Sequence, residues 1–390
     1  MPESKEHHDT TQKRSHAKLG LVLSGGGARG AYQAGVMKGV AEIAAARGIV
    51  QPVPIIAGVS AGAINAAYLA SRADNFSVAT EQMEEMWSNI TADRIFRTDA
   101  LSAGRSGVRL MTDAAFGALY QKKFARSLLD TQPLSKLLDE VIDYGAIDRN
   151  IRAKHLDALA VTAMNYSNAT SITFVHGTEQ APMWQRARRI STRAEITRQH
   201  IMASAAIPIF FSPAKLDNDH YGDGCLRNTA PLSPAIHLGA DRLLVVSVRR
   251  ADKPMGANVS VPEIEPSIAR ILGVILNALL LDAMEVDMER MSRINATINY
   301  VPERQRADLS LRKVDYFWLR PSRDIGELAG RLFDKLPRVI RYLISGLGSS
   351  KEASELTSYL LFDPEFCGQL VQMGYDDAMA NRDALSEFLA

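Results

Sequence analysis

The 390-residue sequence predicts an α/β fold, with a mainly parallel central sheet covered by helices and a helical C-terminal extension. Three observations carry this prediction. Short β-branched apolar runs alternate with longer segments of helical apolar spacing through the first half, the β-α-β-α order that builds parallel sheets. Glycine-containing turns follow the first two runs. Strand signals stop near Pro321, and helical periodicity takes over.

Taken in order, Gly20–Ser24 reads as a strand and Ala31–Arg47 as a helix; Val53–Ala57 and Ala61–Ser71 repeat the pair. Glu81–Trp87 and Leu134–Tyr144 read as helices. Strands are expected at Leu156–Met164, Ser171–Val175, Ala214–Leu216 and Arg242–Val248. Arg94–Lys123, of mixed polarity with several glycines, reads as a flap or insertion. The stretch ADKPMGANVSVPEIEP carries three prolines and reads as a linker. Beyond it a helix is expected over Ser267–Met291, strand-like segments at Ala296–Val301 and Val314–Leu319, then helices. This divides the chain into a mobile polar tail (1–16), an α/β domain (17–321) and a helical extension (322–390).

Composition narrows the function. Lys plus Arg number 45 against 44 Asp plus Glu, so no global field draws nucleic acid. The two cysteines, Cys225 and Cys367, make no metal site, and no clustered carboxylate loop of the EF-hand kind is present. The opening MPESKEHHDTTQKRSHAK lacks an apolar h-region, so no Sec-type signal peptide is expected. The longest apolar stretch, Ile271–Leu281, falls short of the roughly 20 residues that span a bilayer. A cytoplasmic chain, at most peripheral to a membrane, is the expectation.

Two turns carry chemistry. Gly25-Gly26-Gly27-Ala28-Arg29-Gly30 joins the first strand to its helix and aims backbone N–H groups at an anion. The Gly25-x-Gly27-x-x-Gly30 spacing fits a dinucleotide pyrophosphate; the same geometry can hold the oxyanion of acyl transfer. A dinucleotide site wants an acidic residue at the end of the second strand. This chain has Gly58-Val59-Ser60-Ala61-Gly62 there instead, the G-x-S-x-G of a nucleophile elbow, whose glycines at 58 and 62 remove colliding Cβ atoms. Serine needs a base. Among eight histidines only His220 and His237, which flank Asp223-Gly224, look placed for chemistry, and the order Ser60, Asp223, His237 fits an α/β-hydrolase triad.

Four ordered blocks resemble the bacterial patatin-like phospholipases: the glycine loop 25–30, the elbow 58–62, Ala203-Ser204-Ala205-Ala206-Ile207-Pro208 with Phe210-Phe211, and Tyr221-Gly222-Asp223-Gly224. The resemblance implies a three-layer α/β/α fold and a Ser60–Asp223 dyad, with Asp223 taking the Ser60 proton directly. It implies an oxyanion hole in the loop Gly25, Gly26, Gly27, Ala28, Arg29 and Gly30, with Gly26 and Gly27 the main donors. Arg29 would fix the loop or meet a lipid phosphate. The substrate would be a lipid ester, a phospholipid or lysophospholipid, and neither metal nor cofactor is implied. Gly224 and Cys225 form the dyad loop; Cys225 departs from the Gly or Ala usual in that family and would be strained if its φ were positive. A triad esterase using His237 and a catalytically silent lipid-binding protein are the alternatives. Two stretches could pack on the protein's own core or a dimer partner, or reach a lipid surface, as amphipathic helices: Ser267–Leu281, and the segment where Lys335, Arg338 and Arg341 accompany the stripe Leu336, Val339, Ile340, Leu343 and Ile344.

Overall fold

A computed structural model describes residues 17–97, 127–250, 265–306 and 308–390. The polar tail, the expected flap from residue 98 onward and the linker up to residue 264 lie outside the described residues.

The strands are β1 (Leu19–Leu23), β2 (Ile55–Val59), β3 (Ala158–Asn165), β4 (Thr170–Gly177), β5 (Gln185–Arg186), β6 (Arg189–Arg193), β7 (Ala214–Leu216), β8 (Asp219–Asp223), β9 (Arg242–Val246) and β10 (Asp315–Leu319). They form one sheet in the order β10-β9-β1-β2-β3-β4-β6-β5, with β8 paired to β3 and β7. From β10 to β3 all neighbours run parallel. Alternate residues of the central strands feed two apolar layers. Leu21, Leu23, Ile56, Leu244 and Val246 enter the larger core, and Val22, Ile55, Ala57, Leu243 and Val245 the smaller one on the other face. The chain is thus a three-layer α/β/α protein.

The helices are α1 (Ala31–Ala45), α2 (Ala61–Ser71), α3 (Phe76–Ser88), α4 (Ala92–Ile95), α5 (Gln132–Val141), α6 (Tyr144–Arg152), α7 (Arg198–Ser204), α8 (Ser233–His237), α9 (Ile268–Leu280), α10 (Asp282–Asn299), α11 (Glu303–Arg306), α12 (Ile325–Arg331), α13 (Arg338–Ser345), α14 (Ser354–Leu360), α15 (Pro364–Ala380) and α16 (Arg382–Leu389). The C-terminal helices share the larger core, whose members run from Leu19 to Leu389. Helix α15 lies along α1, and Tyr32 of α1 donates a hydrogen bond to Asp377 Oδ2 of α15 at 3.1 Å.

Several boundaries move from those expected, each for a local reason. β2 begins at Ile55 because Pro52 and Pro54 supply no N–H to the ladder, and it runs on to Val59, directly below Ser60. The helix expected to reach Tyr144 stops at Val141; Asp143 then caps α6 by accepting from the Ala146 N–H. Ser267–Met291 is two helices broken at Leu281, with Asp282 opening the second. Ala296–Val301 is no strand: its β-branched Thr297 and Ile298 continue α10, whose Met284, Met288, Met291 and Ile298 are buried at helical spacing.

Strand β3 outruns β2, and this positions the site. Its residues 158–162 pair with β2, where Val59 faces Thr162, while its last residues pair antiparallel with β8, where Ala163 faces Asp223. One strand therefore sets the end of β2 and the end of β8 a single residue step apart.

Candidate active site

Ser60 stands at the turn from β2 into α2 with φ 56° and ψ −128°, a region non-glycine residues rarely occupy, at a cost of roughly 1–3 kcal/mol. Its N–H donates to Ser204 Oγ at 2.9 Å, and Ser204 Oγ donates to the Thr162 carbonyl at 2.7 Å. Its carbonyl accepts from the N–H groups of Ala63 and Ile64. The elbow is compact: a Cβ on Gly58 would strike the carbonyl of Gly62.

Asp223 ends β8 and is wholly buried. Its Oδ1 accepts from the Cys225 N–H at 2.9 Å; its Oδ2 has no hydrogen-bond partner among the described residues. Burial pushes its carboxyl up to about 6, against the opposing pull of the Ser60 hydroxyl and the Cys225 amide, which favour the ionised form. Cys225, second in the one-turn helix Gly224–Arg227, has no positive φ, so the strain anticipated there is absent. Burial pushes its thiol well up, and it stays protonated.

The glycine loop adjoins this pair. An added Cβ on Gly25 would lie 3.0 Å from Ser60 Cβ, 3.6 Å from Ser60 Oγ and 2.5 Å from Cys225 Sγ. The 3-10 turn Gly27–Gly30 begins there, and its first N–H groups have no intrahelical acceptor. Gly27, at φ 57°, turns the backbone beneath α14, where a side chain would collide with the Tyr359 carbonyl. A buried polar chain ties the loop to its neighbours: Trp87 Nε1 donates to Asn65 Oδ1 at 2.7 Å, Asn65 Nδ2 to Gln33 Oε1 at 2.9 Å, and Gln33 Nε2 to the Ser24 carbonyl at 2.8 Å. Arg29 is buried and turned towards α14.

Ser60 and Gly27 border an apolar recess walled by Trp87, Leu138, Phe211 and Phe362, with about 30 Å³ of free space inside. That is room for roughly one water.

His237 is not part of this constellation. It lies on α8, stacked on Trp184 with ring centroids 4.8 Å apart, and its Nδ1 is 2.7 Å from the Ser233 carbonyl. Burial lowers its basicity. His200 serves in the capping box of α7, and His176 accepts from the Ile196 N–H.

Ser204, Asn65, Gln33 and Trp87 were not assigned roles from the sequence. Only Ser204 carried a signal, as part of the block before β8. Ser204→Ala is expected to strand the Ser60 N–H, costing about 1–3 kcal/mol of stability by urea unfolding and reducing turnover as the elbow relaxes.

Among solved structures the chain is similar to VipD from Legionella pneumophila (15% identity, TM-score 0.35), covering 94% of this chain and 67% of that one. It is similar to the type III effector protein ExoU, of the Pseudomonas aeruginosa type III secretion system (14%, TM-score 0.36; 95% and 53%). A third is human GIVD cytosolic phospholipase A2 in complex with methyl gamma-linolenyl fluorophosphonate (12%, TM-score 0.38; 96% and 59%). The chain thus spans between about half and two thirds of the length of these proteins. No curated protein matches its sequence. The family model described as patatin-like phospholipase matches residues 21–236, more than half of the chain. With Ser60 and the glycine loop inside that match, the chain belongs to the patatin-like phospholipase family.

Proposed function

We propose that this protein hydrolyses fatty-acyl esters of phospholipids or lysophospholipids with a Ser60–Asp223 dyad. The observation that carries the reading is the unpartnered, buried Oδ2 of Asp223 beside a serine held at positive φ. Asp223, with its carboxyl raised to about 6, is a base matched to neutral pH. As it takes the proton, Ser60 Oγ attacks the ester carbonyl. The oxyanion forms against the N–H groups of Gly26 and Gly27, each worth about 2.7–4 kcal/mol in the transition state. The tetrahedral intermediate collapses by breaking the bond to the lipid alcohol, whose oxygen takes the proton from Asp223, and water then attacks the acyl-enzyme with Asp223 again the base. The apolar recess takes the acyl chain by parting its walls, Phe362 among them.

Fatty-acid release from mixed phospholipid and lysophospholipid vesicles tests this, wild type beside His237→Ala. Release that survives His237→Ala supports the dyad. Loss with His237→Ala would restore the triad, and no release by wild type would leave a silent lipid-binding protein.

The substrate lies in a lipid surface, and α9 is suited to meet it. Ile268, Ile271, Val274 and Ile275 of α9 are 46–58% exposed along one face, and residues 267–281 hold no acidic side chain. Its inner end, Leu279 and Leu280, borders a recess with Ser24, Gly25 and Cys225, so this face adjoins the catalytic loops. Helix α13 is the weaker candidate: Leu336, Ile340 and Ile344 of its stripe are buried, and Lys335 pairs with Glu365. Among the described residues no helix is long and apolar enough to cross a membrane. Ile271→Asp is expected to weaken vesicle co-sedimentation by about tenfold, the worth of one buried aliphatic side chain, while cleavage of a water-soluble ester is unchanged.

A further inference from the structure

Arg29 is the only charged residue of the glycine loop, and its guanidinium is almost wholly enclosed, its side chain 4% exposed. Among the described residues, the hydrogen bonds, ion pair and ring contact of its guanidinium are all made with α14. Nε donates to Ser358 Oγ at 2.8 Å, a terminal N–H donates to Glu355 Oε2 at 2.6 Å, and the guanidinium lies 4.4 Å over the ring of Tyr359. Glu355 is itself oriented from a third element: Asn277 Nδ2 of α9 donates to the same Oε2 at 3.0 Å, and Asn277 Oδ1 accepts from Tyr359 Oη at 2.7 Å. The Tyr359 carbonyl occupies the space into which a side chain at Gly27 would project. One face of α14 therefore holds the loop at two points, two residues apart, on the donors that would stabilise the oxyanion.

We infer that Glu355 is a positioning residue for acyl hydrolysis: by fixing Arg29, with Asn277 aiming its carboxylate, it holds the Gly26 and Gly27 N–H groups where the oxyanion forms. This rests on the dyad and oxyanion-hole reading above. It also assigns Arg29 to the fold's interior, away from a lipid phosphate, because a guanidinium enclosed between a carboxylate, a hydroxyl and an aromatic ring offers no accessible fork to a head group. Among the described residues of the motif-bearing stretch 21–236, none supplies this anion. The oxyanion loop depends on a helix outside the family-matched region.

The test compares wild type, Ser60→Ala, Glu355→Ala and Glu355→Gln in two assays: steady-state cleavage of a short-chain p-nitrophenyl ester, and the rate of Ser60 labelling by a neutral fluorophosphonate. Labelling needs the same N–H donors for the phosphoryl oxygen but no lipid surface. Glu355→Ala is expected to lower kcat by about 10–100-fold, the range that misplaced catalytic groups cost, with KM within twofold and labelling slowed in parallel. Glu355→Gln, which can still accept from Arg29, is expected to recover most of the rate. Unaltered labelling and kcat in Glu355→Ala would overturn the inference alone, as would a rise in KM at constant kcat, which would make Arg29 a substrate ligand. Failure of wild type to label at Ser60 would overturn the dyad reading and this inference with it. If Glu355→Ala does not fold, Asn277→Ala takes its place: a smaller parallel fall supports the inference, and an unchanged rate overturns it.

Discussion

Ser60→Ala is expected to lower fatty-acid release by roughly 10⁴- to 10⁶-fold, the loss seen when a catalytic serine is removed from a preorganised site. The fold should tolerate it. Alanine suffers the same steric cost as serine at φ 56°, and the hydrogen bonds that hold the elbow use the Ser60 N–H and carbonyl, not its hydroxyl. A circular dichroism melt near that of wild type, beside the lost release, would separate chemistry from architecture. Release within tenfold of wild type would mean that another nucleophile acts. Cys225, buried and held protonated, is poorly suited to be one.

Asp223→Asn should give the second-largest loss, about 10³-fold or more, because it removes the carboxylate buried against Ser60, and it should also stabilise the protein. Folding raises the Asp223 carboxyl from an unfolded value near 3.9 to about 6. Between those pH values the native state binds a proton that the unfolded chain has released, so native stability falls as pH rises through the window. Above pH 6 the penalty is complete, on the order of 3 kcal/mol for a shift of about two units. An asparagine in its place would carry no such penalty, while its amide oxygen could still accept from the Cys225 N–H. Asp223→Asn should therefore melt higher than wild type at pH 8 and near it at pH 4. In wild type, kcat/KM should drop about tenfold per pH unit below pH 6. A variant less stable than wild type at pH 8 would show that the carboxylate is structural.

Much of this was legible in the sequence, in a particular sense. Glycines and apolar runs announce β1, β2 and the turns between them because those features act within a few residues. The aspartate proposed for the dyad was picked out by motif, although the strand carrying it was not: Asp219-His220-Tyr221-Gly222-Asp223 has neither β-branched residues nor clean alternation, and it is a strand only because the overhanging end of β3 needs partners. The expected strand at Ala296–Val301 failed in the opposite direction, with β-branched residues overridden by buried methionines upstream in the same helix. The links invisible to local reading are the long-range ones. Ser204 reaches Ser60 across 144 residues, and Glu355 reaches Arg29 across 326, with no spacing rule to announce either.

The pairing of α1 with α15, and of the glycine loop with α14, also sets a clock on synthesis. A ribosome adding roughly 5–20 residues per second makes Glu355 no sooner than about 16 seconds after Arg29. Until then α1 has no α15 to cover Tyr32, and the loop beside the nucleophile lacks its brace. Contacts this distant in sequence close late and slow the approach to the native state. Such an order leaves the glycine loop without its brace until the C-terminal helices have docked, so that a half-made chain carries the family's motifs without the geometry of the finished fold.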